Sequence, residues 1–299
     1  NIATKNEDWS VWVVFPEVSK IPSCILQKNN WTHGYLASDL ACVKYRMQNW
    51  KPKKIIYHVD VRQQLHLKQV FEISKMAWWL GNDTELFHAY NWFISLKDWA
   101  MSSRKWNIIK LDSLLDEAHE RAKKIILEKR DDISWEKLEE LSEIIWVWAI
   151  KYWYLSKSRT SDMIFDWDEF MTFEWNSGPF VSYAYVRSLN ILKNSKIELA
   201  EIINSNSWEF THQTEVDLFK ELCEFNQVLL DVSKNYLPHN LVNYTFNLTK
   251  KFNWFYNEVN VINEENLENK LLKLKLVYTF NEILKTSFDI LAIKLPTEM

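Results

Sequence analysis

The spacing of apolar positions changes along the chain, and the change divides it into two parts. Lys54 to Asp60 (KIIYHVD) is a short β-branched run ending in an acid, the pattern of a buried strand with a functional C-terminal tip. Before it, Leu36 to Met47 has helical spacing, with Leu40, Val43 and Met47 on one face. After it, Leu65 to Ala77 sets Leu65, Val70, Ile73 and Met76 around a helical core face. Helix, strand and helix in succession predict a doubly wound α/β unit.

From Asp112 onward strands are hard to find. Asp112 is an expected N-cap for a helix whose stripe is Leu114, Leu115, Ala118, Ala122, Ile125 and Ile126. Ser134 caps the next, running to about Leu155. The turn Ser177-Gly178-Pro179 opens another, carrying Tyr183, Val186, Leu189 and Leu192, with Pro where no amide donor is lost. Glu215 to Asn235, Asn240 to Val259 and Glu265 to Ile293 also read as helices. The expected fold class is therefore α/β followed by an all-α helical bundle.

Composition narrows the class without naming a function. At 299 residues, 47% hydrophobic and 25% charged, the chain is an ordinary globular protein with room for two cores. Its longest apolar runs, such as Ile144 to Ile150, fall short of the roughly 20 residues that a bilayer demands, so no membrane partner is expected. Cys24, Cys42 and Cys223 lack metal or disulfide spacing and read as small core residues of a cytoplasmic protein. A net charge of −4 does not advertise nucleic-acid binding, although a local patch can bind RNA on an acidic protein. Asn1 to Ser10 holds neither an initiator Met nor a signal-peptide pattern, so the sequence is expected to begin inside a longer reading frame.

Chemistry concentrates in Met101-Ser102-Ser103-Arg104-Lys105, a basic run between the two parts. Its cations could neutralise triphosphate charge, although such a run is by itself more often a solvated loop. With its surroundings, Phe93 to Leu115 (FISLKDWAMSSRKWNIIKLDSLL), it resembles the signature loop of class I arginyl-tRNA synthetases, where a Met-Ser-Ser/Thr-Arg-Lys-Gly-Asn run precedes LDELLDEA. Ala100 stands where that family usually has Lys. Further blocks follow the family in order. Tyr35-Leu36-Ala37-Ser38-Asp39-Leu40-Ala41, then Lys44-Tyr45-Arg46, resembles YATRDLAAIKYR. Asp60 to Phe71 (DVRQQLHLKQVF) resembles DxRQxLHFKQVF, and Phe173 to Arg187 (FEWNSGPFVSYAYVR) resembles FEGNTGPYLQYAHAR. Toward the end, Leu237 to Tyr256 resembles PHRLANYLYELAQAFNRFYH, and Leu295 to Met299 resembles VPERM. The collinear matches run from about Trp31 to Met299.

The resemblance implies residues 1–111 as the rear of a Rossmann-type catalytic domain, 112–177 as a helical connecting region that contacts the tRNA stem, and 178–299 as an α-helical anticodon-binding domain. It implies Tyr35, Asp39 and Gln63 as contacts to the arginine substrate, a carboxylate suiting a planar guanidinium. On the residues alone, the first two read equally as a packed Tyr and an N-cap Asp. His66 and Met101 are implied at the ATP site, and Ser102, Ser103, Arg104 and Lys105 in catalysis. For tRNA the implied contacts are Tyr183, Arg187, Tyr244, Asn247, Phe252, Asn253, Tyr256 and Met299, where an aromatic and amide face can stack on splayed bases. An aromatic core stripe is the competing reading of the same spacing. ATP is implied as substrate with Mg2+, L-arginine and its tRNA as partners, no resident metal, and a monomer. The family's His-x-Gly-His-type element is absent, so this polypeptide alone is not expected to charge tRNA. The alternative function is a non-catalytic tRNA-binding module derived from a synthetase.

One count is abnormal: 3 Gly against 17 Trp, where ordinary Gly usage is about 7%. Trp31, Trp99, Trp106, Trp146, Trp148 and Trp175 stand where the resemblance expects Gly, whereas Trp167 stands where the family tolerates Trp. A UGA codon translated as Trp in a lineage that reads it as Gly would produce this pattern. A decayed gene would not strike Gly so selectively.

Overall fold

The computed structural model describes residues 2–81, 83–92, 94–96, 111–129, 132–166 and 178–296. The chain forms two compact units, one of residues 1–93 with 160–162, the other of residues 94–159 with 163–299.

The first unit is mixed α/β. Strands β1 (Ala3–Lys5), β2 (Val11–Val13) and β3 (Cys24–Gln27) form an antiparallel sheet in sequence order, an element the apolar pattern did not announce. Helix α1 (Tyr35–Asn49) follows, burying Leu36, Leu40 and Val43 at the i, i+4, i+7 spacing of one helical stripe. Strand β4 (Lys54–Tyr57), helix α2 (Gln64–Met76) and strand β5 (Glu85–His88) make a βαβ unit whose strands pair in parallel, Lys54 opposite Glu85 through Tyr57 opposite His88. Val13, Phe15, Leu36, Leu40, Val43, Val70 and Ile73 form the core. The expected face of α2 is rotated at its start: Leu67 is buried, whereas Leu65 is 49% exposed. Leu67, Val70 and Ser74 share the inner stripe at i, i+3 and i+7, and Leu65, about 200° of helical rotation before Leu67, points away from it.

The second unit is dominated by helices. Strand β6 (Ile94–Leu96) pairs in parallel with β7 (Met163–Phe165), so the helical part does contain a strand, contrary to its apolar spacing. Between them, α3 (Leu111–Lys129) and α4 (Trp135–Ser156) pack together. Asp112 lies inside the first turn of α3 instead of capping it, where its charge still suits the helix dipole. Ser134 caps α4 as expected, its side chain accepting from the Lys137 amide at 3.4 Å.

Six helices complete the bundle: α5 (Gly178–Ser195), α6 (Leu199–Asn204), α7 (Gln213–Cys223), α8 (Phe225–Asn235), α9 (Pro238–Glu258) and α10 (Leu267–Ile290). The single helix expected over Glu215 to Asn235 is two, α7 and α8, meeting at Glu224. At the centre Phe252 stacks on Phe280 with centroids 3.9 Å apart, both fully buried. Glu215 is also fully buried. Its carboxylate accepts from the Thr211 amide at 2.8 Å, the Thr211 hydroxyl at 3.2 Å and the His212 amide at 3.4 Å, closing a capping box on α7. Lys273 of α10 lies 3.7 Å from Glu215 and donates to Glu264.

Candidate functional site

Two clusters gather most of the implied residues that lie within the described chain, one in each unit. In the first unit the hydrogen-bonding groups beyond β4 are held against the segment after β5. The Val61 amide donates to the Asn91 carbonyl at 3.0 Å, and His58 Nδ1 lies 2.7 Å from the Ala89 carbonyl. Asp60 caps a 3-10 turn, Val61–Gln63, by accepting from the Arg62 amide at 2.8 Å and from its guanidinium at 2.9 and 3.2 Å. Those Arg62 hydrogen bonds hold the Asp60 carboxyl below the usual carboxylate range. Asp60 is thus committed to shaping the turn that delivers Gln63 to the N-cap position of α2.

His66 sits in the first turn of α2, and its Nε2 is 2.6 Å from Oδ2 of Asp39 on α1. The resemblance implies Asp39 and Gln63 for arginine and His66 for ATP, and the structure joins Asp39 and His66 in one hydrogen bond. Their side chains are 37% and 25% exposed, open enough for a ligand to reach the carboxylate. Tyr35, one turn before Asp39, is 88% exposed, and its ring stands in solvent instead of packing. The implied catalytic and ATP residues Met101, Ser102, Ser103, Arg104 and Lys105 lie outside the described residues, as does Met299.

The second cluster lines a cleft of about 770 Å³ between α5 and the C-terminal end of α9, closed by residues 259–262. Tyr183, Arg187 and Tyr256 all face it. The Arg187 guanidinium donates to Asn253 Oδ1 at 3.0 Å and lies 4.4 Å from the centroid of the Tyr256 ring. A cation, an amide and two partly exposed phenol rings therefore converge on one open surface, a combination that can stack on a base and pair with a phosphate. Asn190 and Asn194 line the same cleft. The helical spacing 183, 187, 190, 194 was the available signal for these two missed amides.

Two implied RNA contacts are corrected. Tyr244 and Phe252 face the core, being 5% and 0% exposed, because a helix in the middle of a bundle turns only one stripe outward. Asn247 is exposed on α9 but does not line the cleft. The Tyr244 hydroxyl donates to the Glu221 carbonyl at 3.0 Å, and its ring stacks on Phe225. Burial, reinforced by Glu221, pushes this phenol well above the ordinary Tyr range. A proton held more tightly in the folded state gives stability that is whole below about pH 10, the unfolded value, and is lost as pH climbs through the raised one. Tyr244→Phe is expected to cost about 1 kcal/mol near neutrality and to flatten the alkaline decline. Denaturant unfolding at about pH 7 and above about pH 10 would show both effects.

The α/β part and the helical bundle of the chain both match models of the class I tRNA synthetases. Residues 1–167 match the family model described as tRNA synthetases class I (R), catalytic domain, and residues 181–299 match the DALR anticodon binding domain. The chain belongs to the arginyl family of class I tRNA synthetases. It is 37% identical over 280 residues to the arginine–tRNA ligase of Wigglesworthia glossinidia brevipalpis, covering 92% of this chain and 47% of that one. It is 34% identical over 295 residues to the ligase of Fusobacterium nucleatum, covering 98% and 51%. Arginyl-tRNA synthetase from Plasmodium falciparum superimposes with a TM-score of 0.85 at 26% identity, over all of this chain and 50% of that one. The chain thus spans about half the length of the relatives it matches.

Proposed function

We propose that this chain is the half of an arginine–tRNA ligase that carries the arginine-recognising carboxylate, the phosphate-handling basic run and the tRNA grip. The supporting observation is the hydrogen bond between Asp39 and His66, which links the implied amino-acid and nucleotide contacts at 2.6 Å. The first unit is the rear of a Rossmann-type domain, with β4 and β5 as its parallel, ligand-bearing strands. Tyr35, Asp39 and Gln63 hold the arginine side chain, the carboxylate facing the guanidinium. His66 and Met101 adjoin the adenosine. Arg104 and Lys105, with Ser102 and Ser103, neutralise the triphosphate, and Mg2+ arrives with the ATP as part of the substrate.

An oxygen of the arginine carboxylate attacks the α-phosphorus of ATP, and the bond to pyrophosphate breaks. A ribose hydroxyl of the tRNA end then attacks the activated carbonyl and AMP leaves. Positioning and charge neutralisation supply the catalysis, with no covalent enzyme intermediate. The expected setting is a cytoplasmic monomer.

Tyr183, Arg187, Asn253 and Tyr256 grip the anticodon region. The chain is expected to bind tRNA with an affinity that falls as salt rises. Arg187→Ala should weaken binding on the order of tenfold and lower the salt slope by about one. Tyr244→Phe should leave RNA affinity unchanged. Fluorescence anisotropy with labelled tRNA across a salt series decides it. Binding indifferent to both salt and Arg187 would remove the tRNA reading.

A further inference from the structure

From left-handed backbones at three tryptophans in a chain with 3 Gly and 17 Trp, we infer that positions 9, 31 and 78 carry glycine in the natural protein, their UGA codons being read as Gly where the sequence shows Trp. All three residues have left-handed backbones, with φ of 69°, 65° and 55°. That region disfavours L side chains by about 1–2 kcal/mol, and a bulky residue there is a genuine outlier.

Each of the three sits in a motif that calls for glycine. Asn6 to Ser10 joins β1 to β2: the Trp9 amide donates to the Asn6 carbonyl at 3.0 Å and the Asn6 amide to the Ser10 carbonyl at 2.8 Å. This is a turn closed by a left-handed residue at a bulge, the habitual glycine position of a three-residue hairpin loop. Lys28 to Thr32 repeats it, with Trp31 donating to Lys28 at 3.0 Å and Lys28 to Thr32 at 2.9 Å. Trp78 follows the end of α2. Its amide donates to the Lys75 carbonyl at 3.0 Å and the Trp79 amide to the Ser74 carbonyl at 3.2 Å. That bond pair is a Schellman cap, whose left-handed residue is usually Gly.

The indoles gain little in return. They are 55%, 62% and 91% exposed. Trp9 and Trp31 lie 5.9 Å apart with Lys5 above Trp9 at 3.7 Å, which offsets part of the strain at two sites and none at Trp78. Lys20, Lys51, Lys196, Tyr236 and Ala292 are left-handed too, so the fold does accept L residues there. Yet Trp is 17 of 299 residues and three of these eight, while no described glycine is left-handed. The usual occupant of such turns has been exchanged for Trp. Positions 146 and 148 lie inside α4, where Gly would be disfavoured, and carry no such signature. A codon read as Gly at three places is read so throughout one message, so wherever UGA encodes position 106, the residue after Lys105 becomes glycine too.

The test is peptide mass spectrometry on protein from its native source, covering Asn6 to Ser10, Lys28 to Thr32 and Lys75 to Leu80, beside the gene sequence. Glycine at all three positions over UGA codons is expected. Tryptophan at any of them, or a UGG codon at any of them, overturns the inference.

Discussion

Asp39→Asn is expected to raise the arginine KM of the full-length ligase on the order of a hundredfold, because one partner of a guanidinium–carboxylate pair loses its charge. The substitution is close to isosteric. The amide oxygen can still accept from His66, which now bonds Asp39 at 2.6 Å, so the α1–α2 contact survives and the loss reports on charge. His66→Ala should leave the arginine KM within a few fold and raise that for ATP. Steady-state ATP–pyrophosphate exchange with arginine and ATP varied in turn separates the two. An arginine KM unmoved by Asp39→Asn would place the guanidinium elsewhere.

Glu215→Ala should destabilise the helical bundle by about 3–5 kcal/mol, the range for stripping one partner from a buried charged network. The carboxylate is fully buried, accepts three hydrogen bonds from Thr211 and His212, and lies 3.7 Å from Lys273. Its removal orphans two amides at the start of α7 and leaves Lys273, only 7% exposed at its side chain, leaning on Glu264 alone. Lys273→Met should cost less, since the capping bonds of Glu215 remain. Urea unfolding of the three proteins gives the ranking. A loss below about 1 kcal/mol for Glu215→Ala would mean that water replaces the carboxylate and the network adds little.

Much of this was legible in the chain. Helical stripes such as Leu36, Leu40 and Val43 declared themselves because the 3.6-residue period survives any context. The N-terminal sheet did not, since strands of three or four residues offer too few alternations. Strand β7 was lost for the same reason, its three residues set among helices. At the candidate sites, the family's blocks singled out Asp39, His66 and Arg187, of which the first two share a hydrogen bond and the third lines a cleft. Periodicity could not say which aromatic of α9 turns outward, so Tyr244 and Phe252 were grouped with Tyr256 although only the last is exposed. The Glu215–Lys273 contact joins residues far apart in sequence and leaves no local trace.

The parallel pairing of β6 with β7 carries a kinetic consequence. Ile94 meets Met163, and Ser95 Oγ donates to the Met163 carbonyl at 3.3 Å, across a long excursion that includes α3 and α4. Three rungs cannot offset the closure entropy of so long a loop. The helical hairpin is therefore expected to assemble first and shorten the gap, which φ-values higher in α3 and α4 than in β6 and β7 would show.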